Sequence, residues 1–253
     1  MGLDQVRHEM ILERLSCDRK IAVAAMASDL DVSMETIRRD LKLLEDRGLL
    51  RRIHGGAIPM LPQADRPFQK RSRIAFQEKA AIAALVAPML KEGMSIFLDT
   101  GTTTLAVARE LAVVPSLTVF TNSIDISLVV SRQKRHEVRL TGGIVRPDDN
   151  ALIGYDAIES VRKYHFDLAL MGIVGVHLEG GFMDFGDHEA ELRRAAARQA
   201  GRSIILADHS KFGRLGRLRT FDLGAVDFLV TDRAPPTAYQ EAIARTSLSI
   251  LHG

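Results

Sequence analysis

Residues 33–57 read SMETIRRDLKLLEDRGLLRRIHGGA, and the first half of this stretch has the pattern of an amphipathic helix. Ser33 is a suitable N-cap, and Gly48 is suited to ending the helix. The apolar face consists of Ile37, Leu41 and Leu44 at helical spacing. The opposite face is basic and consists of Arg38, Arg39 and Lys42. The pattern predicts a helix that packs on one side and presents positive charge on the other.

The second half of the stretch predicts a short hairpin. Residues 49–53 have the pattern of a strand, and Gly55-Gly56 that of a tight turn. Two further helical patterns precede residue 31, and Asp31-Val32 separates them from the helix that starts near Ser33. Three helices followed by a hairpin are typical of a winged helix-turn-helix, in which the third helix enters the major groove of DNA.

The candidate DNA-contacting residues lie in this third helix and in the hairpin, or wing. Arginine suits this role because its planar guanidinium pairs with guanine or clamps a phosphate. The candidates are Ser33, Thr36, Arg38, Arg39 and Lys42 in the helix and Arg51, Arg52 and His54 in the wing. Residues 36–52 contain six basic and three acidic side chains, although residues 1–60 contain ten of each. On charge alone, a solvated helix face with ion pairs to Asp40, Glu45 and Asp46 is the alternative.

The bulk composition allows two domains and favours a cytoplasmic protein. The chain has 253 residues and a net charge of +2, so any nucleic-acid surface must be local. A single cysteine, Cys17, excludes a disulfide within the chain and fits a reducing compartment. No apolar run approaches the roughly 20 residues of a membrane span, and the first residues lack the apolar core of a signal peptide. We therefore expect no association with a membrane.

Beyond the wing the sequence pattern changes twice. Residues 1–58 are predicted to form the DNA-binding domain, and the proline-containing residues 59–77 a linker. Residues 78–253 alternate short apolar strands with helical segments, which predicts an α/β domain with a mostly parallel sheet. The predicted strands are 94–98, 117–120, 137–140, 166–171, 203–207 and 227–231.

Polar residues and glycines follow several of these strands. In a parallel sheet such positions lie along one edge, where ligands bind. The segment LDTGTTT, residues 98–104, offers backbone N–H groups and hydroxyls at the start of a helix, which suits an anion. It is not a Walker loop, because no lysine follows. The candidate effector-binding residues are Asp99, Gly101, Thr102, Thr103, Thr104, Asn122, Gly142, Gly143 and Lys211.

These residues predict a phosphorylated sugar or polyol as the ligand. The phosphate would lie at residues 101–104 with Lys211 as counter-charge, and Asp99 and Asn122 would bind hydroxyls. Taken alone, the loop also fits an ordinary capped turn between a strand and a helix. Glu189 and Glu191 either favour the dipole of their helix or face the ligand. His188 and His209 lack the spacing of a metal-binding pair, so neither a metal nor a cofactor is expected.

Several of these segments resemble the DeoR family of bacterial transcriptional regulators. The resemblance covers TIRRDL at 36–41, HGGA at 54–57, and then LDTGTTT, TNS, TGG, FDLALMG and DHSKFG in that order. The segment MDFGDHEAELRRA resembles the branch that includes the glycerol-3-phosphate repressor. The resemblance implies an operator-binding repressor with a sensor domain related to ribose-5-phosphate isomerase and glucosamine-6-phosphate deaminase.

The sequence leaves three classes of function to compare. We expect a non-enzymatic repressor of double-stranded operator DNA that a phosphorylated sugar or polyol releases. We also expect a dimer or tetramer, because two half-sites multiply specificity. The alternatives are a sugar-phosphate isomerase or deaminase fused to a DNA-binding module, with Asp99 or Asp167 as acid/base, and a dimerisation scaffold without a ligand.

Overall fold

The chain divides into two units, Met1–Asp65 and Arg66–Gly253. The computed structural model describes residues 3–18, 20–46, 49–59 and 68–253. Gly48, predicted to end the third helix, and residues 60–67 of the predicted linker lie outside the described residues. None of the described helices has the length and apolar character needed to cross a lipid bilayer.

The first unit is the predicted winged helix-turn-helix. Its elements are α1 (Leu3–Asp18), β1 (Ile21–Ala22), α2 (Val23–Asp29), α3 (Met34–Asp46), β2 (Leu50–Ile53) and β3 (Gly56–Pro59). The strands form an antiparallel sheet in the order β1-β3-β2. Gly56 allows the close approach of β3 to β1, because a Cβ there would lie 2.0 Å from the carbonyl oxygen of Ile21. The apolar residues of α3, namely Ile37, Leu41 and Leu44, are buried together with Leu50 of the wing.

The second unit is built on a seven-stranded sheet in which every strand pair is parallel. Its strands are β4 (Ser95–Leu98), β5 (Thr118–Thr121), β6 (Glu137–Leu140), β9 (Phe166–Gly172), β12 (Ala200–Leu206), β14 (Phe228–Thr231) and β15 (Ser249–His252). Their order is β15-β14-β12-β9-β4-β5-β6. The predicted mostly parallel α/β architecture is therefore confirmed, and β15 is the strand of this sheet that the sequence pattern did not predict.

Two small antiparallel sheets and seven helices complete this unit within the described residues. The sheets are formed by β7 (Ile144–Arg146) with β8 (Ala151–Ile153), and by β10 (Gly175–His177), β11 (Gly181–Asp184) and β13 (Leu218–Phe221). The helices are α4 (Phe68–Arg73), α5 (Phe76–Val86), α6 (Thr102–Glu110), α7 (Ile124–Ser131), α8 (Tyr155–Arg162), α9 (Asp187–Arg198) and α10 (Thr237–Ile243).

The large sheet is buried on both faces. Along β4, Ile96 and Leu98 face a cluster with α5 and α6, whereas Phe97 faces a second cluster with α8 and α9. Helices on both faces explain why the strands are continuous apolar runs, and they leave the carboxyl ends of the strands as a polar edge. Phe68 in the predicted linker is also buried in the first cluster, so α4 packs as part of this unit.

Candidate DNA-binding and effector-binding sites

Ser33 caps α3 as the sequence predicts. The backbone N–H of Thr36 donates to Ser33 Oγ at 3.1 Å, and the two side-chain hydroxyls lie 2.9 Å apart. Asp31 precedes the cap with a φ of 50° and forms the tight turn that separates α2 from α3. Of the predicted DNA-contacting residues, Ser33 and Thr36 therefore also fix the start of the helix.

The exposed face of α3 presents the predicted basic residues. Arg38, Arg39 and Lys42 are all exposed. Arg38 pairs with Glu35 at 3.2 Å, an exposed contact within one helical turn that contributes little to stability. Within the described residues, the side chains of Arg39 and Lys42 have neither a hydrogen bond nor an ion pair. This face therefore offers two uncommitted cations in one helical turn.

Asp40 has a different role from the acidic residues of a solvated helix face. Its carboxylate is buried and accepts hydrogen bonds from Arg7 Nε at 2.6 Å and from His8 Nε2 at 3.1 Å. Because Arg7 and His8 belong to α1, these bonds link α3 to α1. Burial opposes the charge of Asp40, but the hydrogen bonds from Arg7 and His8 outweigh it and hold the pKa of Asp40 below its ordinary value. The alternative that pairs Asp40 with the basic face is wrong.

Glu45 connects α3 to the wing. Its Oε1 accepts from the backbone N–H of Arg52 at 2.8 Å, and its Oε2 accepts from Arg52 Nε at 2.8 Å. These two hydrogen bonds lower the pKa of Glu45. Arg51 and His54, the other predicted wing contacts, are exposed. The structure thus holds the guanidinium of Arg52 against a carboxylate and leaves Arg51 and His54 at the surface.

The segment after β4 forms the predicted turn into α6. The N–H of Leu105 donates to the carbonyl oxygen of Gly101 at 3.0 Å, so the amides of Thr102, Thr103 and Thr104 precede the first intrahelical bond. Thr103 and Thr104 are buried, and Thr104 Oγ1 donates to Gly101 O at 3.0 Å. We call residues Gly101–Thr104 the cradle. Its free amides and the positive end of the helix dipole suit an anion.

Asn122 at the end of β5 supports this turn. Its Oδ1 accepts from the backbone N–H of Thr100 at 2.8 Å, and its backbone oxygen accepts from Leu152 N–H at 2.7 Å. The Oγ1 of Thr100 is buried and has no hydrogen-bond partner within the described part of the chain. Asn122 therefore positions the loop in this structure, and a polar hydroxyl next to the cradle remains for a ligand.

Asp99 lies beside the cradle and binds an arginine that the sequence analysis did not select. Arg193 Nε donates to Asp99 Oδ2 at 2.7 Å, and the same guanidinium pairs with Asp184. Thr220 Oγ1 in β13 donates to the other oxygen of Asp184 at 2.6 Å. Burial raises the pKa of Asp99 to about 6, although Arg193 favours the charged form. Asp99 is thus part of a buried ionic network in this structure.

A second ionic cluster contains Glu189. Arg146 binds both oxygens of Asp149, at 2.8 and 2.7 Å, and also pairs with Glu189. Glu191 is exposed on the other side of α9. Glu189 therefore faces this cluster, and Glu191 faces solvent.

Lys211 lies among other cations. It is half-buried in a 3₁₀ turn that follows Asp208. Burial lowers the pKa of Lys211 to about 8, against the effect of Asp208, and the positive charges of Arg214, Lys79 and Arg71 lower it further. A cation with these neighbours gains from a nearby anion, and the turn restricts the movement of Lys211.

Gly142 and Gly143 pack against neighbouring elements. The N–H of Gly142 donates to Ser160 Oγ in α8 at 3.3 Å. Gly143 has a φ of 120°, and a Cβ there would lie 2.6 Å from the carbonyl oxygen of Ile153 in β8. This close approach explains the need for glycine at position 143.

Comparisons with known proteins agree with the two units. A model of the DeoR-like helix-turn-helix domain matches residues 7–60, and a model of the DeoR C terminal sensor domain matches residues 74–233. The chain belongs to the DeoR family. It is 30% identical over 237 residues to the glycerol-3-phosphate regulon repressor of Escherichia coli (strain K12), and the match covers 94% of each protein.

This DeoR-family chain is also similar to a second repressor and to one solved structure. It is 34% identical over 242 residues to the HTH-type transcriptional repressor GlcR of Bacillus subtilis (strain 168), covering 95% of this chain and 93% of GlcR. Among solved structures, ribose 5-phosphate isomerase A from Methanocaldococcus jannaschii matches with a TM-score of 0.41 and 17% identity, covering 55% of each chain.

The structure separates the two carboxylates considered as acid/base groups. Asp167 is near the start of β9, where its Oδ2 accepts from the N–H of Ser95 at 2.7 Å, whereas Asp99 follows the last residue of β4. In a parallel sheet the amino ends and the carboxyl ends of the strands lie on opposite sides, so Asp167 is remote from the cradle of this DeoR-family protein. Within the described residues, no group of three or more acidic, His or Cys side chains is arranged to hold a metal.

Six buried or partly buried charged residues of the sensor unit were not predicted as site residues from the sequence. They are Arg71, Lys79, Arg146, Asp149, Asp184 and Arg193. For Arg193 a signal was present, because it lies three residues after Ala190 and three before Ala196, both buried on the inner face of α9. An arginine in phase with a buried helix face requires carboxylate partners.

Proposed function

We propose that this DeoR-family chain is a DNA-binding transcriptional repressor whose operator binding is relieved by a phosphorylated sugar or polyol. The relatives named above are described as repressors and match nearly the whole chain, DNA-binding unit included. The observation that most supports a regulated repressor is that the same chain has an exposed basic recognition helix and a cradle for an anion. We propose that the repressor binds its operator in the cytoplasm.

The proposed DNA contact is made by α3 and the wing. The side chains of Arg39 and Lys42 are exposed and have no partner among the described residues, and Arg38 and Arg51 are also exposed. Bases would be read from α3, and the phosphates would be bound from the wing with Arg52 and His54. We propose at least a dimer, because a single helix in a single groove gives limited specificity.

The proposed effector site is the cradle with its surrounding cations. The amides of Thr102, Thr103 and Thr104 suit a phosphate, and Lys211 would add a positive charge. The sugar hydroxyls would bind to polar groups next to this turn. Asp99 and Thr100 directly precede the cradle in the sequence, and Asn122 is hydrogen-bonded to Thr100. Gly142 and Gly143 would shape the outer side of the site.

The proposed domain organisation is a DNA-binding domain at 1–58, a linker at 59–77 and an effector-sensing domain at 78–253, with α4 of the linker segment packed onto the sensing domain. An isomerase or deaminase would need a free carboxylate at the sugar's reacting carbons. Asp99 instead pairs with Arg193, and Asp167 is at the opposite edge of the sheet. These contacts, together with relatives named as repressors, favour sensing over catalysis.

Two experiments test the proposed function. First, an operator is selected from a random duplex library with the full-length protein, and its affinity is measured for Arg39→Ala and Lys42→Ala. Loss of a base contact should weaken binding by about 1–3 kcal/mol. Lys20→Ala, an exposed basic residue outside α3 and the wing, is the matched control. Normal operator binding by both α3 variants would contradict the assignment of α3.

The second experiment is a thermal-shift screen of sugars and their phosphate esters. We expect at least one phosphate ester to stabilise the protein in a concentration-dependent way, and its unphosphorylated sugar to have no effect. Equal stabilisation by both forms would contradict the phosphate assignment. Incubation with the stabilising ester followed by product analysis should detect no isomerised or deaminated sugar.

A further inference from the structure

The short helix α4 carries one arginine, Arg71, in a partly buried position within the sensor unit. α4 packs against α6, the helix whose first turn forms the cradle. Phe68 at the start of α4 is buried in the core, and the guanidinium of Arg71 lies 5.6 Å above the centre of its ring. The aromatic ring and the core therefore fix Arg71 in place without neutralising its charge.

Arg71 has weaker carboxylate partners than two other arginines of the sensor unit, Arg146 and Arg193. Arg193 has Asp99 and Asp184 as partners. Arg146 has both oxygens of Asp149 and also Glu189. The ion pair of Arg71 is to the same Asp149, at 3.9 Å, beyond hydrogen-bond distance.

Arg71 also has an unsatisfied donor. Its Nε is buried and has no hydrogen-bond partner in the described part of the chain. Burial lowers the pKa of the guanidinium, and the positive charges of Arg146 and Arg193 lower it further, against the effect of Asp149. A buried guanidinium donor without an acceptor is a cost to the folded protein, and an anion that accepts from it would remove this cost.

Lys79 of α5 binds the carboxyl end of α4. Its buried Nζ donates to the carbonyl oxygens of Arg71 at 2.7 Å and Ile74 at 2.5 Å, near the carboxyl end of α4. Burial lowers the pKa of Lys79, and the charge of Arg71 lowers it further, against the effect of Asp208. An anion that binds Arg71 therefore also changes the electrostatic environment of Lys79, the residue that binds the end of α4.

We propose that Arg71 binds the anionic group of the effector together with the cradle, and that α4 is the element through which effector binding reaches the preceding segment of the chain. This inference rests on the proposed function, because it assigns a further residue to the same effector site. The ligand chemistry is a phosphate or another compact oxyanion, which accepts two hydrogen bonds from one guanidinium. The position of α4, directly after residues 60–67, makes it the first described element of the sensor unit.

The test compares full-length wild type with Arg71→Met, Arg71→Lys and the control Arg73→Met. Arg73 is in the same helix but is exposed. The probes are inorganic phosphate, glycerol 3-phosphate and glucose 6-phosphate, measured by calorimetry at matched ionic strength. For the probe that binds wild type most tightly, Arg71→Met should weaken binding at least tenfold, Arg71→Lys should weaken it less, and Arg73→Met should stay within twofold.

A second readout separates ligand binding from a purely structural role. Without a ligand, Arg71→Met should melt at the wild-type temperature or above it, because a buried donor without an acceptor is removed. It should bind the selected operator normally but no longer release it with the probe. A lower melting temperature with unchanged probe affinity would overturn the inference. Wild type that binds neither these three probes nor any phosphate ester of the thermal-shift screen would instead contradict the proposed effector site itself.

Discussion

Arg193 on α9 binds Asp99, which follows the strand leading to the cradle, although the two residues are 94 positions apart in the sequence. Through Asp184, the same guanidinium also reaches the small antiparallel sheet of β10, β11 and β13. The network therefore fixes the position of the cradle relative to α9. Because all three side chains are buried, each depends on the others for its charge compensation.

The first prediction concerns the stability of this network. Arg193→Met leaves two buried carboxylates without a cation and should destabilise the sensor unit by about 3–5 kcal/mol. Urea unfolding of the full-length protein, followed by circular dichroism, measures this loss. The matched control is Arg198→Met in the last turn of α9, where the arginine is exposed, and it should change stability little. Equal stability of the two variants would contradict the network.

The second prediction concerns Asp40 and pH. Because the pKa of Asp40 is lower in the folded protein than its ordinary value of 3.8, its contribution is present above that value and is lost as pH falls through the folded pKa. Asp40→Asn should remove this contribution, with a loss of about 1–3 kcal/mol at neutral pH. Hydrogen exchange of the α1 and α3 peptides measures it locally.

The control for this prediction is Asp46→Asn, at an exposed position of the same helix. It should leave the protection of α1 unchanged. The Asp40→Asn variant should also show a flatter decline of protection below pH 4 than wild type. An Asp40→Asn variant with wild-type protection at neutral pH would show that the contacts to Arg7 and His8 contribute little.

The third prediction concerns the contact between Glu45 and Arg52. In the free protein this half-exposed pair contributes at most about 1 kcal/mol to stability. Its larger effect should be on DNA, because Glu45→Gln releases the guanidinium of Arg52 for a phosphate. Operator affinity should increase, and the slope of log K against log salt should become more negative by about 0.9. Asp29→Asn, exposed in α2, is the control, and an unchanged slope in Glu45→Gln would contradict the prediction.

The fourth prediction concerns Lys211 and effector affinity. Burial lowers the pKa of Lys211 to about 8 in the ligand-free protein, and a bound anion would raise it toward its ordinary value of 10.5. The complex therefore binds more protons than the free protein at and above pH 8, and affinity should fall as pH rises through this range. Calorimetry in buffers of different ionisation enthalpy should detect proton uptake at pH 8.5 in wild type and none in Lys211→Met.

Local signals in the sequence were sufficient for the winged helix and for six strands of the large sheet. Ser33 caps α3 as predicted because capping depends on residues three positions apart. The turn at Gly101 was equally readable, because it joins a buried strand directly to a helix. Asp40 was misjudged as a surface acid even though it shares the helical phase of Ile37, Leu41 and Leu44.

The ionic partners around the cradle depend on contacts that sequence spacing does not reveal. Arg146 meets Glu189 across 43 positions, and Arg193 meets Asp99 across 94. Such pairs form only when α9 is packed across the sheet. β15 was missed for a different reason, since its four residues, Ser249 to His252, begin and end with polar side chains and lack a clear strand pattern.

The most direct test of the central claim is an anisotropy titration of the selected operator with full-length protein at fixed ionic strength. A coupling of about 1–3 kcal/mol between effector and DNA predicts that the stabilising sugar phosphate raises the operator Kd roughly 5–150-fold. The unphosphorylated sugar at the same concentration should leave it unchanged. An operator Kd that is the same with and without the phosphate ester, or that the free sugar raises equally, would contradict the account.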